Sequence, residues 1–239
     1  MSGNAAAKPE YATEDIAVWW DMNDCPIPEG YDSRRVRPSL EVAFKKLGYS
    51  GHVSITAYGN QTRTPDHLLR GLSSTGVDVA HTILDVTYTR IFSDLLKWQD
   101  LNPPPATMML ISDTVDLVFS KPLALLQQVT KYNLFLAYSY RPYKMSILVT
   151  SAEWLWDSLL ADTVSETRTH FLQRCSEKGE ESTGMFYCKL LDDCDCQSLD
   201  DFRKHLSSKE HALEFTTRCL SRRVVFRVRA TTIPRGKFS

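Results

Sequence analysis

The first strand-like segment of the chain reads Ile16-Ala17-Val18-Trp19-Trp20-Asp21, five apolar residues followed by an acid. A continuous apolar run of this kind is typical of a strand buried on both faces of a parallel sheet. Residues 38–47 come next and predict a helix, because their apolar side chains recur at intervals of three and four and Gly48 ends the pattern. Residues 53–58 then alternate as a strand does. The chain therefore opens as a β-α-β unit.

The alternation of strand and helix continues through the first 160 residues. Further strands are predicted at residues 77–84, 107–111 and 134–138, further helices at residues 66–72, 88–98 and 120–129, and a closing segment at residues 152–160. Helices between buried strands cover both faces of a mostly parallel sheet, so the sequence predicts a doubly wound α/β domain. In the common strand order 3-2-1-4-5, strands 1 and 4 are neighbours, and ligands bind beyond their carboxyl ends.

The composition suits one such domain and a small remainder. The chain has 239 residues, 43% hydrophobic and 24% charged, which excludes a mostly disordered or collagen-like protein. No run approaches the roughly 18 uncharged residues of a membrane span. Residues 1–10 lack the apolar stretch of a secretory signal. We therefore expect an intracellular protein with reduced cysteines, in the cytoplasm or the nucleus.

Acidic residues follow both of the strands that are expected to be neighbours. Asp21 ends the first strand, and Asp113 and Asp116 follow the fourth. If these carboxylates converge, they form the oxygen-rich site that Mg²⁺ or Mn²⁺ prefers, with Asp94 of the third helix as a further contributor. Two plainer interpretations stay open: the acids after strand 4 satisfy a turn, or Asp94 pairs with Arg90. No glycine-rich phosphate loop supports a nucleoside triphosphatase or a dinucleotide oxidoreductase.

Several stretches of this region, in this order, resemble one protein family. They are Val18-Trp19-Trp20-Asp21-Met22-Asn23-Asp24-Cys25-Pro26-Ile27-Pro28, Ala57-Tyr58-Gly59-Asn60, Asn102-Pro103-Pro104-Pro105-Ala106-Thr107-Met108-Met109-Leu110-Ile111-Ser112 and Tyr132-Asn133-Leu134-Phe135-Leu136-Ala137-Tyr138. Residues 12–161 closely resemble the NYN domain, the PIN-like nuclease domain of the meiosis regulator and mRNA stability factor (limkain-type) family, and the likeness is nearest to its plant members.

The resemblance implies a metal-dependent, RNA-cleaving domain that acts in mRNA stability and the regulation of gene expression. Under it, Asp21 matches the first metal-binding acid of the family, and Asp94 matches the acid of the third helix. Asp113 or Asp116 matches the acid pair after strand 4. These four residues are the predicted catalytic and Mg²⁺- or Mn²⁺-binding residues.

The chain departs from the family pattern at two acidic positions. Many family members carry an acid where Asn60 stands and another where Tyr88 stands. Two functions therefore stay open: a metal-dependent endoribonuclease, and a catalytically degenerate module that binds RNA or serves as a protein adaptor. In either case we predict that Asn23 and Asn60 contact the substrate.

The last third of the chain has a different chemistry. Residues 162–183 are polar and of mixed charge, as a linker is. Residues 184–215 then bring cysteines on a short hairpin before a predicted helix at 199–215 with two histidines. This arrangement is typical of a Cys₂His₂ zinc finger, which folds only with its metal. The candidate Zn²⁺ ligands are Cys188, Cys194, Cys196, His205 and His211.

The spacing of these residues differs from that of a standard finger. Five residues separate Cys188 from Cys194, where a standard finger has two to four. The alternative is a degenerate finger in which residues 202–206 form a plain amphipathic helix. The remaining histidines lack ligand-like spacing and are assigned to the surface or the core: His52, His67, His81 and His170.

The C-terminal tail, residues 216–239, carries seven basic residues and no acid. Its arginines are the predicted nucleic-acid contacts: Arg222, Arg223, Arg227 and Arg229. They would bind the phosphates of single-stranded RNA with little sequence preference, although a merely solubilising tail stays open. The acidic run of the finger suits a protein partner instead. The family resemblance also raises a peroxisomal association, but the terminal Lys237-Phe238-Ser239 is not the peroxisomal address.

Overall fold

A single eight-stranded sheet organises the molecule. The computed structural model describes residues 4–142, 148–161, 183–190, 194–213 and 216. The strands are β1 (Ile16–Asp21), β2 (Val53–Gly59), β3 (Asp78–His81), β4 (Thr107–Ile111), β5 (Asn133–Tyr138), β6 (Ala152–Leu155), β7 (Phe186–Cys188) and β8 (Cys194–Cys196). Their order across the sheet is β6-β5-β4-β1-β2-β3-β7-β8. All neighbouring pairs are parallel except the hairpin β7–β8.

The expected order of the first five strands is therefore confirmed. β1 lies between β2 and β4, so the loops after β1 and β4 emerge side by side at the carboxyl edge. Strand order reverses at this point of the sheet. β1 is buried along its whole length, which explains its unbroken apolar run.

Helices cover both faces of the sheet. They are α1 (Val36–Lys46), α2 (Asp66–Ser73), α3 (Thr87–Leu101), α4 (Ser120–Val129), α5 (Trp156–Ala161) and α6 (Leu199–Leu206). One core layer holds Trp20 of β1 together with apolar side chains of α1, α2, α5 and α6. The opposite layer holds Trp19 with side chains of α3 and α4. Because neighbouring residues of a strand point to opposite faces, β1 contributes a tryptophan to each layer.

The hairpin near the C-terminus extends the sheet of the first region. β7 pairs with the outer edge of β3 in parallel register, with Phe186 opposite Val79 and Cys188 opposite His81. Residues 184–190 were predicted to belong to a separate zinc-finger module, whereas the structure joins them to the α/β sheet. A three-residue strand carries no periodic signal, which is why its pairing could not be seen in the sequence.

Just before β7, the backbone at Gly184 passes very close to the backbone of the segment between α2 and β3. Gly184 donates to the Ser73 carbonyl at 2.8 Å, and its own carbonyl accepts from Ser73 Oγ at 2.7 Å. A Cβ placed on Gly184 would lie 2.0 Å from the carbonyl oxygen of Val77. Only glycine fits at this contact.

The predicted continuous helix at 199–215 is wrong. Helix α6 ends at Leu206, and a turn at Ser207 and Ser208 separates it from a second helical segment that begins at residue 209. Ser208 caps that segment, because its Oγ accepts from the backbone N–H of His211 at 3.1 Å. The serine pair competes with the helical hydrogen bonds and turns the chain.

Smaller differences lie at the ends of elements. The third strand was predicted to reach residue 84, but β3 ends at His81 and the chain turns into α3. One wide π-helical turn, Val115–Phe119, precedes α4. None of the described helices is long and apolar enough to cross a membrane. The linker positions 162–182 and the basic tail from residue 217 lie outside the described residues.

Candidate functional sites at the carboxyl edge of the sheet

Asp21 ends β1 as a buried carboxylate with 5% of its surface exposed. Its Oδ1 accepts from the backbone N–H and from Nδ2 of Asn23, both at 2.9 Å. Burial, and then the nearby charge of Asp24, raise the pKa of Asp21 to about 6, and the Asn23 hydrogen bonds oppose that shift in part. None of the ion pairs among the described residues includes Asp21.

The loops after β1, β4 and β5 are joined around two further acids. Asp24 Oδ2 accepts from Ser112 Oγ at 2.7 Å and from the backbone N–H of Asp113 at 3.0 Å. Asp113 Oδ1 accepts from the backbone N–H of Ser139 at 2.6 Å. Asp24 and Asp113 therefore lie near each other at the carboxyl edge of the sheet, where Asp21 is the last residue of β1. Asp24 was not among the predicted metal ligands, although it lies in the same acidic loop as Asp21.

Asp116 lies on the π-helical turn, half-buried, one turn beyond Asp113. Its backbone carbonyl accepts from Ser120 Oγ at 2.9 Å. Within the described part of the chain, no hydrogen bond joins its carboxylate to the other acids. A π-helical turn re-aims side chains and often marks a functional site, so its place at this edge is compatible with a role there.

Asp94 lies on α3 beside the same edge and is held by three neighbours. Its Oδ2 accepts from Tyr58 Oη at 2.9 Å and lies 3.4 Å from Lys189 Nζ, and its Oδ1 lies 3.8 Å from Lys97 Nζ. Tyr58 is the register partner of Asp21 on β2, and its side chain packs in the core layer of α3 and α4. Burial, then the charge of Asp94, raises the pKa of the Tyr58 phenol, which keeps it a donor. Two lysines already balance the charge that Asp94 would offer a metal ion.

Asn23 and Asn60, the two predicted substrate-binding residues, are exposed and connect the loops at this edge by hydrogen bonds. Asn23 Nδ2 holds Asp21 and also lies 3.4 Å from Thr87 Oγ1. The backbone N–H of Asn60 donates to Asn23 Oδ1 at 3.4 Å. Asn60 Oδ1 accepts from the N–H and the hydroxyl of Thr62 at 3.2 and 2.6 Å. The loops after β1 and β2 are thus connected through Asn23.

The comparison with protein families matches residues 15–155 to the NYN domain. This chain belongs to the NYN domain family. The match runs from the start of β1 through β6 and includes Asp21, Asp24, Asp94, Asp113 and Asp116, but ends before the C-terminal hairpin. An NYN domain indicates an RNA-related, nuclease-like function, and NYN and PIN-like nucleases typically use Mg²⁺ or Mn²⁺. No curated protein matches the chain.

A second cluster lies beyond the NYN match, where the hairpin faces the C-terminal helices. The ligand atoms of Cys188, His205 and His211 all lie within 4.8 Å of one another. Cys194 is directly opposite Cys188 in the hairpin, and its Sγ lies 3.8 Å from His205 Nδ1. Cys196 is opposite Phe186 and packs in the main core. Among the described residues, no other group of three such side chains comes as close.

His81 adjoins this cluster from the NYN sheet. It ends β3, is fully buried, and its ring centroid lies 5.0 Å from that of His211. Burial, then the proximity of His211 and His205, lowers the pKa of His81 to about 3. His81 was predicted to be a surface or core histidine. Its position at the carboxyl end of a predicted strand was the available signal. The predicted contacts Arg222, Arg223, Arg227 and Arg229 lie outside the described residues.

Proposed function

We propose that this NYN domain is a metal-dependent endoribonuclease that acts on single-stranded RNA and thereby on mRNA stability and gene expression. The observation that carries the proposal is Asp21, a buried carboxylate at the switch point of the sheet with a raised pKa and no paired cation among the described residues. Burying an unpaired charge is costly, so a fold that keeps one at its ligand-binding edge is suited to binding a cation there.

The acids at this edge offer the oxygen ligands of a hard divalent ion, although no three of the described ones lie as close together as the ligand atoms of the Cys/His cluster. Asp21, Asp24 and Asp113 would hold it, with Asp116 beside them, and carboxylate oxygens are the ligands that Mg²⁺ and Mn²⁺ prefer. When bound, such an ion polarises the phosphate and lowers the pKa of a coordinated water. Asp94 on α3 would supply a further metal ligand only if its ion pairs with Lys189 and Lys97 were broken.

The protein's own residues orient the acids. Both hydrogen bonds of Asn23 fall on Asp21 Oδ1 and fix the direction of that carboxylate. The Ser139 amide fixes Asp113, and Ser112 fixes Asp24. Positioning a reacting phosphate against fixed charge supplies most of the catalysis in phosphoryl-transfer reactions.

Two exposed tyrosines support single-stranded RNA as the substrate. Tyr88 follows Thr87, a neighbour of Asn23, and 38% of its surface is exposed. Tyr140 follows Ser139, which binds Asp113, and 64% of its surface is exposed. Exposed aromatic rings stack with unpaired bases without regard to sequence. Bases of a bound strand could stack on both rings while its phosphate faces the acids.

The test is cleavage of a labelled single-stranded RNA with Mn²⁺. We expect wild type to cleave it, Asp21→Asn to lose at least about a hundredfold in rate, and a matched duplex to resist. Asp157→Asn, an exposed acid on α5, is the matched control and keeps full activity. Binding of the same RNA without Mn²⁺ is measured in parallel. Equal cleavage by wild type and Asp21→Asn would refute the proposal.

The pairing of Asp94 favours a second candidate, an RNA-binding module that does not cleave. Lys189 and Lys97 form ion pairs with Asp94, the acid to which the family resemblance assigns metal binding. In that case wild type and Asp21→Asn bind the RNA equally, and neither cleaves it at any Mn²⁺ concentration. Weakened binding after Tyr88→Ala or Tyr140→Ala would then identify the RNA surface.

A further inference from the structure

We propose that Cys188, Cys194, His205 and His211 form a tetrahedral zinc site closed against the NYN sheet, in which His81 of β3 is a hydrogen-bond donor to a bound thiolate and not a ligand. The site is independent of the proposed nuclease activity. It would fasten the C-terminal segment to the edge of β3.

The break in the C-terminal helix brings the two histidines together. In one continuous helix, residues six apart lie about 120° apart around the axis, so His205 and His211 would point in different directions. The turn at Ser207 and Ser208 changes the direction of the second segment, and the ring centroids of the two histidines come within 5.3 Å. Cys188 of the hairpin faces the same point.

Unpartnered nitrogens point to a missing cation. Nε2 of His205 and Nε2 of His211 are buried and find no hydrogen-bond partner in the described part of the chain. A buried polar atom without a partner is costly and needs an explanation. Ligation of zinc would satisfy both nitrogens, because neutral imidazole is a preferred zinc ligand.

Cys194 is the fourth ligand that we assign, from its place in the hairpin, although its thiol lies outside the group of three and beside Nδ1 of His205 rather than the unpartnered Nε2. It is the cross-strand partner of Cys188, and its thiol is 3.8 Å from His205 Nδ1. Cys196 is two residues further along β8, opposite Phe186, and its side chain is 7% exposed within the core. Two thiolates and two imidazoles in a tetrahedral arrangement select zinc among the common divalent ions.

The hydrogen bond to His81 assigns its role. The backbone N–H of Gln61 donates to His81 Nδ1 at 3.0 Å, so Nδ1 carries the lone pair. In a neutral imidazole the proton then lies on Nε2, which can donate but cannot ligate a metal. That Nε2 is buried without a partner among the described residues. His81 is the register partner of Cys188 on the neighbouring strand. We therefore assign the zinc-bound thiolate of Cys188 as the acceptor that this Nε2–H would reach once the metal is bound.

The experiment is metal binding by the full chain, purified and stripped of metal, with folding followed by circular dichroism. We expect one zinc per chain, and with Co²⁺ the thiolate charge-transfer absorption and intense visible bands of a tetrahedral site. Cys188→Ser, Cys194→Ser and His211→Gln lose tight zinc binding. Cys196→Ser and the exposed His67→Gln are the matched controls and keep it. A folded wild type that binds no zinc, or a loss caused by Cys196→Ser and not by Cys194→Ser, would overturn the assignment.

Two substitutions at His81 separate a donor from a ligand. Asn can present an acceptor near the position of Nδ1 but removes the Nε2–H, whereas Gln can place an N–H near the position of Nε2. We expect His81→Asn to keep one zinc per chain and the tetrahedral Co²⁺ spectrum with affinity lowered about 10- to 100-fold, as for other residues that support metal ligands. His81→Gln should lower the zinc affinity by a smaller factor than His81→Asn. If both variants change the Co²⁺ spectrum to a site with one nitrogen ligand fewer, His81 is a ligand and the assignment fails.

Because these measurements use no RNA, their outcome is separate from that of the nuclease test. Zinc binding can succeed in a chain that cleaves nothing, and cleavage can succeed in a chain without zinc.

Discussion

The side chain of Asp21 shows how one residue can oppose folding and serve a site. Its pKa in the folded chain is about 6, against 3.8 for an unperturbed aspartate, and burial is the main cause. The folded state therefore holds a proton that the unfolded chain has already lost between these two pH values. Stability falls as the pH rises through this window and stays lowered above it, by about 3 kcal/mol.

Asp21→Asn should therefore stabilise the chain at neutral pH. In buffer without added divalent ions, we expect the variant to exceed wild type in free energy of unfolding at pH 7.5 and to match it near pH 4. Asn also keeps an oxygen that can accept from Asn23. Urea unfolding at both pH values measures the difference. The exposed control Asp157→Asn should show no such gain at pH 7.5, because its carboxylate is not buried. If Asp21→Asn has the same unfolding free energy as wild type at both pH values, burial of the Asp21 charge does not destabilise the fold.

At the scale of elements, β7 depends on one glycine. Three residues of strand supply few ladder hydrogen bonds, so the hairpin needs the close approach of Gly184 to Val77 and the bonds to Ser73. In return, the hairpin covers the outer edge of β3, which would otherwise offer unpaired backbone groups to other chains.

Gly184→Ala should loosen this attachment. The added Cβ meets backbone, which cannot rotate away as a side chain can, so we expect a loss of at least about 1–3 kcal/mol in unfolding free energy. Hydrogen exchange should quicken at Val79, whose N–H donates to the Met185 carbonyl at 2.8 Å. Thr183→Ala, at the exposed neighbouring position, is the control and should change neither. Unchanged exchange in Gly184→Ala would show that β7 does not depend on this contact.

At the scale of the whole molecule, Arg203 connects the two candidate sites. From α6 it donates to the carbonyls of Gln61 and Thr64 and to Asp66 Oδ1, the first at 2.6 Å and the last at 2.8 Å. The backbone N–H of Gln61 donates to His81 Nδ1, and the backbone N–H of Asn60 donates to Asn23 Oδ1. The side-chain amide of Asn23 in turn donates to Asp21 Oδ1. One loop after β2 therefore touches both the Cys/His cluster and the acidic edge.

Arg203→Met should free this loop. We expect amide exchange at residues 60–64 and 66 to quicken about tenfold or more, which corresponds to about 1.4 kcal/mol of local stability, because three carbonyl or carboxylate acceptors lose their donor. Arg70→Met is the matched control: Arg70 also joins α2 to α6, but its pair with Asp200 is exposed and 3.4 Å long, so its loss should have little effect. Equal exchange in the two variants would show that Arg203 does not hold the loop.

The residue pattern alone predicted most of the architecture. The alternation of buried runs and amphipathic segments determined the doubly wound domain, because each element must bury its own apolar face. The strand order, once assumed, placed Asp21 and Asp113 at one edge. Cysteines on a hairpin before two histidines, although not at the spacing of a standard finger, made Cys188, Cys194, Cys196, His205 and His211 the candidate zinc ligands. These are features that neighbouring positions in the sequence encode.

Only the tertiary structure decided what each of these residues contacts. Lys189 reaches Asp94 across 95 positions of sequence, Ser112 reaches Asp24, and His81 meets the C-terminal cluster because β7 pairs with β3. The break before His211 rests on two serines whose competition with helical bonds is settled by packing. Periodicity records which face of an element is buried, but not which distant side chain comes to lie against it, because long-range pairing is chosen by the free energy of the whole fold.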